Sequence, residues 1–258
     1  GVSIHNYMVG GWPVHLPSTE FGEADYAQLV DEALRMDGMI AKESAIMDKY
    51  DPEKKIFLAI DEWGVWLKPT PGTNPGFLQQ QNSMRDAILA SMNLNTFMRH
   101  ADRVRVANIA QMVNVLQAML LTDGPRMVPT PTYHIYKMYL PFQEASFVPV
   151  KFDAGSYTFG KYRNPRVDAV AARDTAGKLW LAVTNIDPNE PAEIAIEMPG
   201  VVPRGASGQV LTAPNVNSIN TFDAPNAVAP KPIAATLQGD RLVIALPARA
   251  VAVLAVEP

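Results

Sequence analysis

Two adjacent carboxylates, Asp61 and Glu62, close an apolar run of strand length, Lys55-Ile56-Phe57-Leu58-Ala59-Ile60. Two indoles, Trp63 and Trp66, follow within four residues. Carboxylates delivered at the C-terminal end of a buried strand, beside a flat aromatic wall, are the materials from which an α/β barrel builds a sugar-cleaving site. The competing reading is a strand that ends in a solvated acidic turn, with both tryptophans in the core. If the strand keeps its period of two, Asp61 faces away from Glu62 and has a structural role.

Other side chains extend the same chemistry. His5 and Tyr7 lie two apart, so on a strand they share one face and can offer hydrogen bonds to a sugar. Trp66 presents an indole face suited to the C–H-rich side of a sugar, whereas Trp63 reads as core. Gln111 directly follows a third apolar run and is a further pocket candidate. Trp12, after Gly10-Gly11, reads equally as an outer-subsite residue or as loop packing. His15, His100 and His134 have no spacing typical of a metal site, and the chain has no cysteine, so neither metal nor cofactor is expected.

Composition narrows the classes. The 258 residues are 48% hydrophobic and 19% charged, which is globular rather than disordered. A net charge of −4 supplies no basic face for nucleic acid or anionic lipid. No apolar run approaches the roughly 20 residues of a membrane span. The first residue is Gly1 and no charged-then-apolar leader is visible, which leaves the compartment open between cytoplasmic and secreted.

The elements that must hold these groups alternate in the first part of the chain. Strands are expected at Val2–His5, 55–61 and 104–110, and helices at 24–50, 78–100 and 131–140, with loops rich in proline and glycine between them. In the first helix Tyr26, Leu29, Val30, Ala33, Leu34, Ile40 and Ile46 fall near helical spacing. Near Ala145 the pattern changes to short strands, among them 179–185, 192–197, 241–246 and 248–256, with a long loop from Pro214 to Pro232. The expectation is therefore α/β plus all-β: residues 1–145 form parallel βα units and 146–258 a β-sandwich. About three βα units cannot close a barrel of eight, so further strands must come from elsewhere in the protein or from another chain.

With Asp61-Glu62-Trp63-Gly64-Val65-Trp66 in place, the chain resembles the α-L-arabinofuranosidases of glycoside hydrolase family 51. Collinear segments carry the resemblance along nearly the whole chain. They are Ser3-Ile4-His5-Asn6-Tyr7, Gln80-Gln81-Asn82, His100-Ala101-Asp102-Arg103-Val104, Ala110-Gln111-Met112-Val113-Asn114-Val115, Pro131-Thr132-Tyr133, Met138-Tyr139, Asn217-Ser218-Ile219-Asn220-Thr221-Phe222 and Leu246-Pro247-Ala248-Arg249. The resemblance implies a (β/α)8 TIM barrel, of which this chain holds strands six to eight, followed by a C-terminal β-sandwich. It makes Glu62 the nucleophile of a retaining, exo-acting enzyme that removes terminal arabinofuranose from arabinan, arabinoxylan or arabino-oligosaccharides. His5, Tyr7, Trp66 and Gln111 become substrate-binding residues, and a homo-oligomer is implied. Gly64 departs from the family, where many members carry Asn, and would alter the pocket rim.

One carboxyl group is missing. The resemblance implies a general acid/base Glu after an Asn, and only Glu190 follows Asn here, between prolines in a turn of the expected sandwich. Retaining hydrolysis needs two carboxyl groups roughly 5 Å apart. The acid/base is therefore expected from an N-terminal barrel half, as a preceding region or a separate chain. The alternatives are a non-catalytic carbohydrate-binding or scaffold fragment, and a related glycosidase acting on xylosides or β-glucans.

Overall fold

The computed structural model describes residues 1–198 and 203–257. Its first part opens with strand β1 (Val2–Met8), helix α1 (Glu23–Tyr50), strand β2 (Leu58–Val65), helix α2 (Met84–Arg99) and strand β3 (Val104–Ile109). β1, β2 and β3 form a parallel three-stranded sheet with β2 in the centre. β2 is shifted from the expected 55–61: Ile56 and Phe57 are exposed ahead of it, and the ladder runs on through Asp61 and Glu62. β1 is longer than Val2–His5 and less buried than a central strand, since its outer side has no partner among the described residues and Val2 is 45% exposed.

Helix α1 buries Tyr26, Ala27, Leu29, Val30, Ala33, Met36 and Ile40. Leu34 and Ile46, expected on that face, are exposed. The apolar stripe narrows towards the end of α1, where Met47 still packs against the core and Asp48 pairs with the buried Arg103. Helix α2 starts later than expected, at Met84, because Gln80 and Asn82 are used as buried side-chain ligands of neighbouring backbone. Asp86 accepts from the backbone N–H of Ser83 at 2.7 Å and closes the first turn.

No long helix follows β3 directly. The chain forms a hairpin of β4 (Leu120–Asp123) and β5 (Arg126–Pro129), then the short helix α3 (Pro131–Met138), with Thr130 at its N-cap. Strands β6 (Ser146–Val148), β7 (Tyr157–Phe159), β8 (Tyr162–Asn164), β9 (Val167–Arg173), β10 (Leu179–Asn185), β11 (Ala192–Ile196), β12 (Gly205–Leu211), β13 (Lys231–Gln238), β14 (Arg241–Leu246) and β15 (Ala250–Glu257) complete the described strands. Eight of them make one continuous antiparallel sheet in the order β11-β14-β13-β12-β15-β10-β9-β6. It is sandwich-like in that it curls around its own core of Leu181, Val183, Leu242, Ile244, Leu254 and Val256.

Strand β15 explains how this sheet is attached. Ala250, Ala252, Leu254 and Val256 face the inside of the curl, whereas Val251 and Val253 join the core built on α1, α2 and the parallel sheet. Both faces are buried, so the run reads as nearly continuous apolar sequence. Polar contacts fix α2 against the curled sheet: Ser91 Oγ meets Thr184 Oγ1 at 2.9 Å, and Asn95 and Arg99 both donate to Asp168, at 2.9 and 2.8 Å. Burial raises the Asp168 carboxyl above its ordinary pKa, although Arg99 beside it opposes the shift.

Candidate active site

The bulge in β2 builds the site. Ser3 pairs with Ala59 and His5 pairs with Glu62, so three steps along β2 match two along β1. A second register shift between Ile60 and Trp63 affects the ladder with β3. A β-bulge of this kind breaks the alternation of side chains and re-aims them. The expectation that Asp61 is turned away from Glu62 fails for this reason. His5 reaches both carboxylates, with Nε2 3.3 Å from Asp61 Oδ1 and Nδ1 3.4 Å from Glu62 Oε2.

Tyr7, on the same face of β1 as His5, donates its hydroxyl in a short hydrogen bond to Glu62 Oε1. Burial, then the hydrogen bond to Glu62 and its charge, push the Tyr7 hydroxyl well above its ordinary value of 10. Tyr7 therefore remains a proton donor, and Glu62 is the acceptor. Asp61 is held below the ordinary carboxylate value, first by the Ser3 hydroxyl donating at 2.5 Å and further by His5. Two oxygens of Glu62 are thus addressed by two different residues, and Asp61 is a neighbouring anion on the other side of the imidazole.

Trp66 stands over this group, its ring edge-on to Tyr7 with centroids 5.3 Å apart. Trp63 lies in the core, fully buried, edge-on to Phe97 at 5.0 Å and stacked on Tyr136 at 6.5 Å. Gln111 is not brought into the cluster. It is exposed and makes no side-chain hydrogen bond to His5, Tyr7, Glu62 or Trp66.

The loops at the C-terminal ends of the three strands are tied to one another. Pro17 bridges Lys68, and Gln79 bridges Leu116, so the first loop is joined to the second and the second to the third. Gln80 accepts from Leu67 N and donates to Val65 O, both at 2.9 Å, while Gln117 Oε1 accepts from Val65 N at 2.9 Å. These two amides hold the segment that carries Trp66. Arg85 and Asp86, both fully buried and 3.1 Å apart, add a fixed point, because Arg85 also donates to Ser18 O at 3.3 Å. Breaking such a buried pair by removing one partner costs about 3–5 kcal/mol.

Sequence reasoning missed Ser3, Gln80, Gln117 and the Arg85–Asp86 pair as positioning groups. The amide run Gln80-Gln81-Asn82 just before a helix was a usable signal, but nothing in the local pattern marks Gln117. Gly64 has φ +149°, and a Cβ there would lie 3.2 Å from Gln117 Oε1 and 3.4 Å from Ala110 O. A side chain at 64 would therefore meet the packed loop after β3 rather than the rim of the site. Glu190 lies in the turn between β10 and β11, where its backbone N–H donates to Asp187 Oδ1 at 3.0 Å. Among the described residues no three His, Asp or Glu side chains gather in a metal-holding cluster.

Comparison with known proteins places the chain in a family. Residues 61–249 match the family model described as the α-L-arabinofuranosidase C-terminal domain. An intracellular exo-α-L-arabinofuranosidase of Bacteroides ovatus is 38% identical over 98% of this chain and 50% of its own length. An exo-α-(1→6)-L-arabinofuranosidase of Bifidobacterium longum is 26% identical over 90% of this chain and 47% of its own. The crystal structure of a family 51 arabinofuranosidase from Xanthomonas axonopodis pv. citri superposes with a TM-score of 0.97 at 48% identity, covering 99% of this chain and 52% of that one. The chain spans about half the length of these relatives. It belongs to the α-L-arabinofuranosidases of glycoside hydrolase family 51 and corresponds to their C-terminal part.

Proposed function

We propose that this chain supplies the nucleophile half of a retaining, exo-acting α-L-arabinofuranosidase. Glu62 attacks the anomeric carbon of a terminal arabinofuranose, a carboxylic acid from outside this chain protonates the leaving oxygen, and water then releases the sugar. Tyr7 fixes Oε1 of Glu62, and the attack is made by Oε2, beside His5. His5 and Trp66 bound the sugar. The observation that carries the reading is the placement of Glu62 at a β-bulge, hydrogen-bonded by Tyr7, within 3.4 Å of His5 and beside Trp66. A sugar-binding or scaffold role would not require a carboxylate oriented in this way.

In this reading residues 1–145 are strands six to eight of a (β/α)8 barrel with their helices, and 146–258 the domain that follows it. The outer edges of β1 and β3, unpaired among the described residues, support this, because parallel strands are ordinarily covered on both sides. The first five strands, with the acid/base, come from an N-terminal half. The test is reconstitution on an aryl α-L-arabinofuranoside. The isolated chain should give no turnover, and joining it to an N-terminal half from the family should restore it. Turnover by the isolated chain at the rate of an intact family enzyme would overturn the half-site reading.

A further inference from the structure

The loop after β1 carries an aromatic side chain that the proposed reaction leaves unused. Trp12 is 76% exposed, yet its loop is held tightly. Glu32, a buried carboxylate on α1, accepts from the backbone N–H groups of Val9 and Gly10 at 2.9 Å each. Gln28 donates to Gly10 O at 2.6 Å. Gly10 has φ +69°, and a Cβ there would fall 2.2 Å from Leu16 Cδ1, so only glycine lets the turn close on Leu16. Beyond it, Lys68 N donates to Leu16 O at 2.9 Å and joins this loop to the one that carries Trp66. The backbone on both sides of Trp12 is thus anchored.

Its direction relative to the site is specific. The Trp12 ring stands edge-on to Trp66, with centroids 6.2 Å apart and planes at 89°. Trp66 in turn stands edge-on to Tyr7, the residue bound to Glu62. An aromatic line therefore runs outward from Glu62 through Tyr7 and Trp66 to Trp12, and the two indoles meet as perpendicular walls of a corner. Indole faces pack against the C–H faces of sugar rings, and the indole N–H adds a donor for a hydroxyl.

We propose that Trp12 is the stacking platform for the sugar ring on the leaving-group side of the cleaved bond, and so selects glycosides whose leaving group is itself a ring. This rests on the reading of Glu62 as nucleophile. A furanose, as in arabinan, and a pyranose, as in xylan, share the C–H face that such a platform recognises. The experiment separates them.

The assembled enzyme, this chain with its N-terminal half, is assayed on α-1,5-arabinotriose, on an arabinofuranosyl xylotriose, and on methyl α-L-arabinofuranoside, whose leaving group has no ring. Trp12→Ala should lower the ratio of kcat/KM for an oligosaccharide to that for the methyl glycoside by about tenfold, the scale of one lost stacking contact. Trp12→Phe should restore most of it. A fall with arabinotriose alone assigns a furanose, with the xylotriose alone a pyranose, and with both a platform for either ring. A ratio unchanged for both oligosaccharides overturns the proposal and leaves Trp12 as a contact for something other than substrate. If the unaltered assembled enzyme cleaves none of the three, the nucleophile reading fails and the platform with it.

Discussion

His5 and Glu62 are register partners across the β1–β2 ladder, and His5 Nδ1 lies 3.4 Å from Glu62 Oε2. The same imidazole lies 3.3 Å from Asp61 on its other side. The bulge in β2 thus converts two neighbours in sequence into two carboxylates that share one histidine.

The Ser3 hydroxyl is the principal cause of the lowered Asp61 pKa. A carboxyl whose folded pKa is depressed stabilises the fold above its unfolded value, near 3.8, and loses that contribution as pH falls through the folded value. Asp61 in the unaltered chain should titrate below 3.8, and Ser3→Ala should move it upward. Carboxyl carbon NMR across pH 2–6 reads this directly. An Asp61 titration indifferent to Ser3 would remove the hydroxyl as the cause.

Tyr7→Phe should keep the ring beside Trp66 and remove the donor to Glu62. A hydrogen bond to a charged group contributes about 1.5–3 kcal/mol, so kcat of the assembled enzyme should fall roughly 10- to 100-fold. The thermal midpoint should change little, because the ring still packs. In a spectrophotometric pH titration, the phenol of Tyr7 should remain protonated through the ordinary tyrosine range around 10, since burial and Glu62 both oppose its ionisation.

The two indoles after Glu62 should separate stability from binding. Trp63 is fully buried between Phe97 and Tyr136, and Trp63→Ala should cost about 3–5 kcal/mol of unfolding free energy. Trp66 is half-buried at the site, so Trp66→Ala should cost less stability and act mainly on KM. Denaturant unfolding of both variants, beside sugar kinetics in the assembled enzyme, decides it. Equal stability losses would contradict the division of roles.

What was legible in the sequence followed simple periodicities. Helix α1 could be read from Tyr26, Leu29, Val30 and Ala33, and the apolar run of β15 from Val251 and Val253. Where one residue breaks a period, legibility ended. The bulge at Ile60–Asp61 has no mark in the sequence, so alternation put Asp61 on the wrong side of the strand. The β4–β5 hairpin did have a mark, Asp123-Gly124 between short strands, but the prolines at 125 and 129 made the segment read as a loop. Its place after an apolar run makes Gln111 a pocket candidate, yet its side chain is exposed and outside the cluster of His5, Tyr7 and Glu62. Gln117 holds Val65 from 52 residues away, a contact that only the tertiary fold creates.

The central claim is that Glu62 forms the covalent bond to the sugar. The direct measurement is intact-mass and peptide mass spectrometry of the assembled enzyme after reaction with a slow 2-fluoro-arabinofuranoside. The account predicts one added fluoro-arabinosyl group, on the peptide that contains Asp61-Glu62-Trp63 and located at Glu62, with no adduct in Glu62→Gln. An adduct on any other residue, Asp61 included, would contradict it.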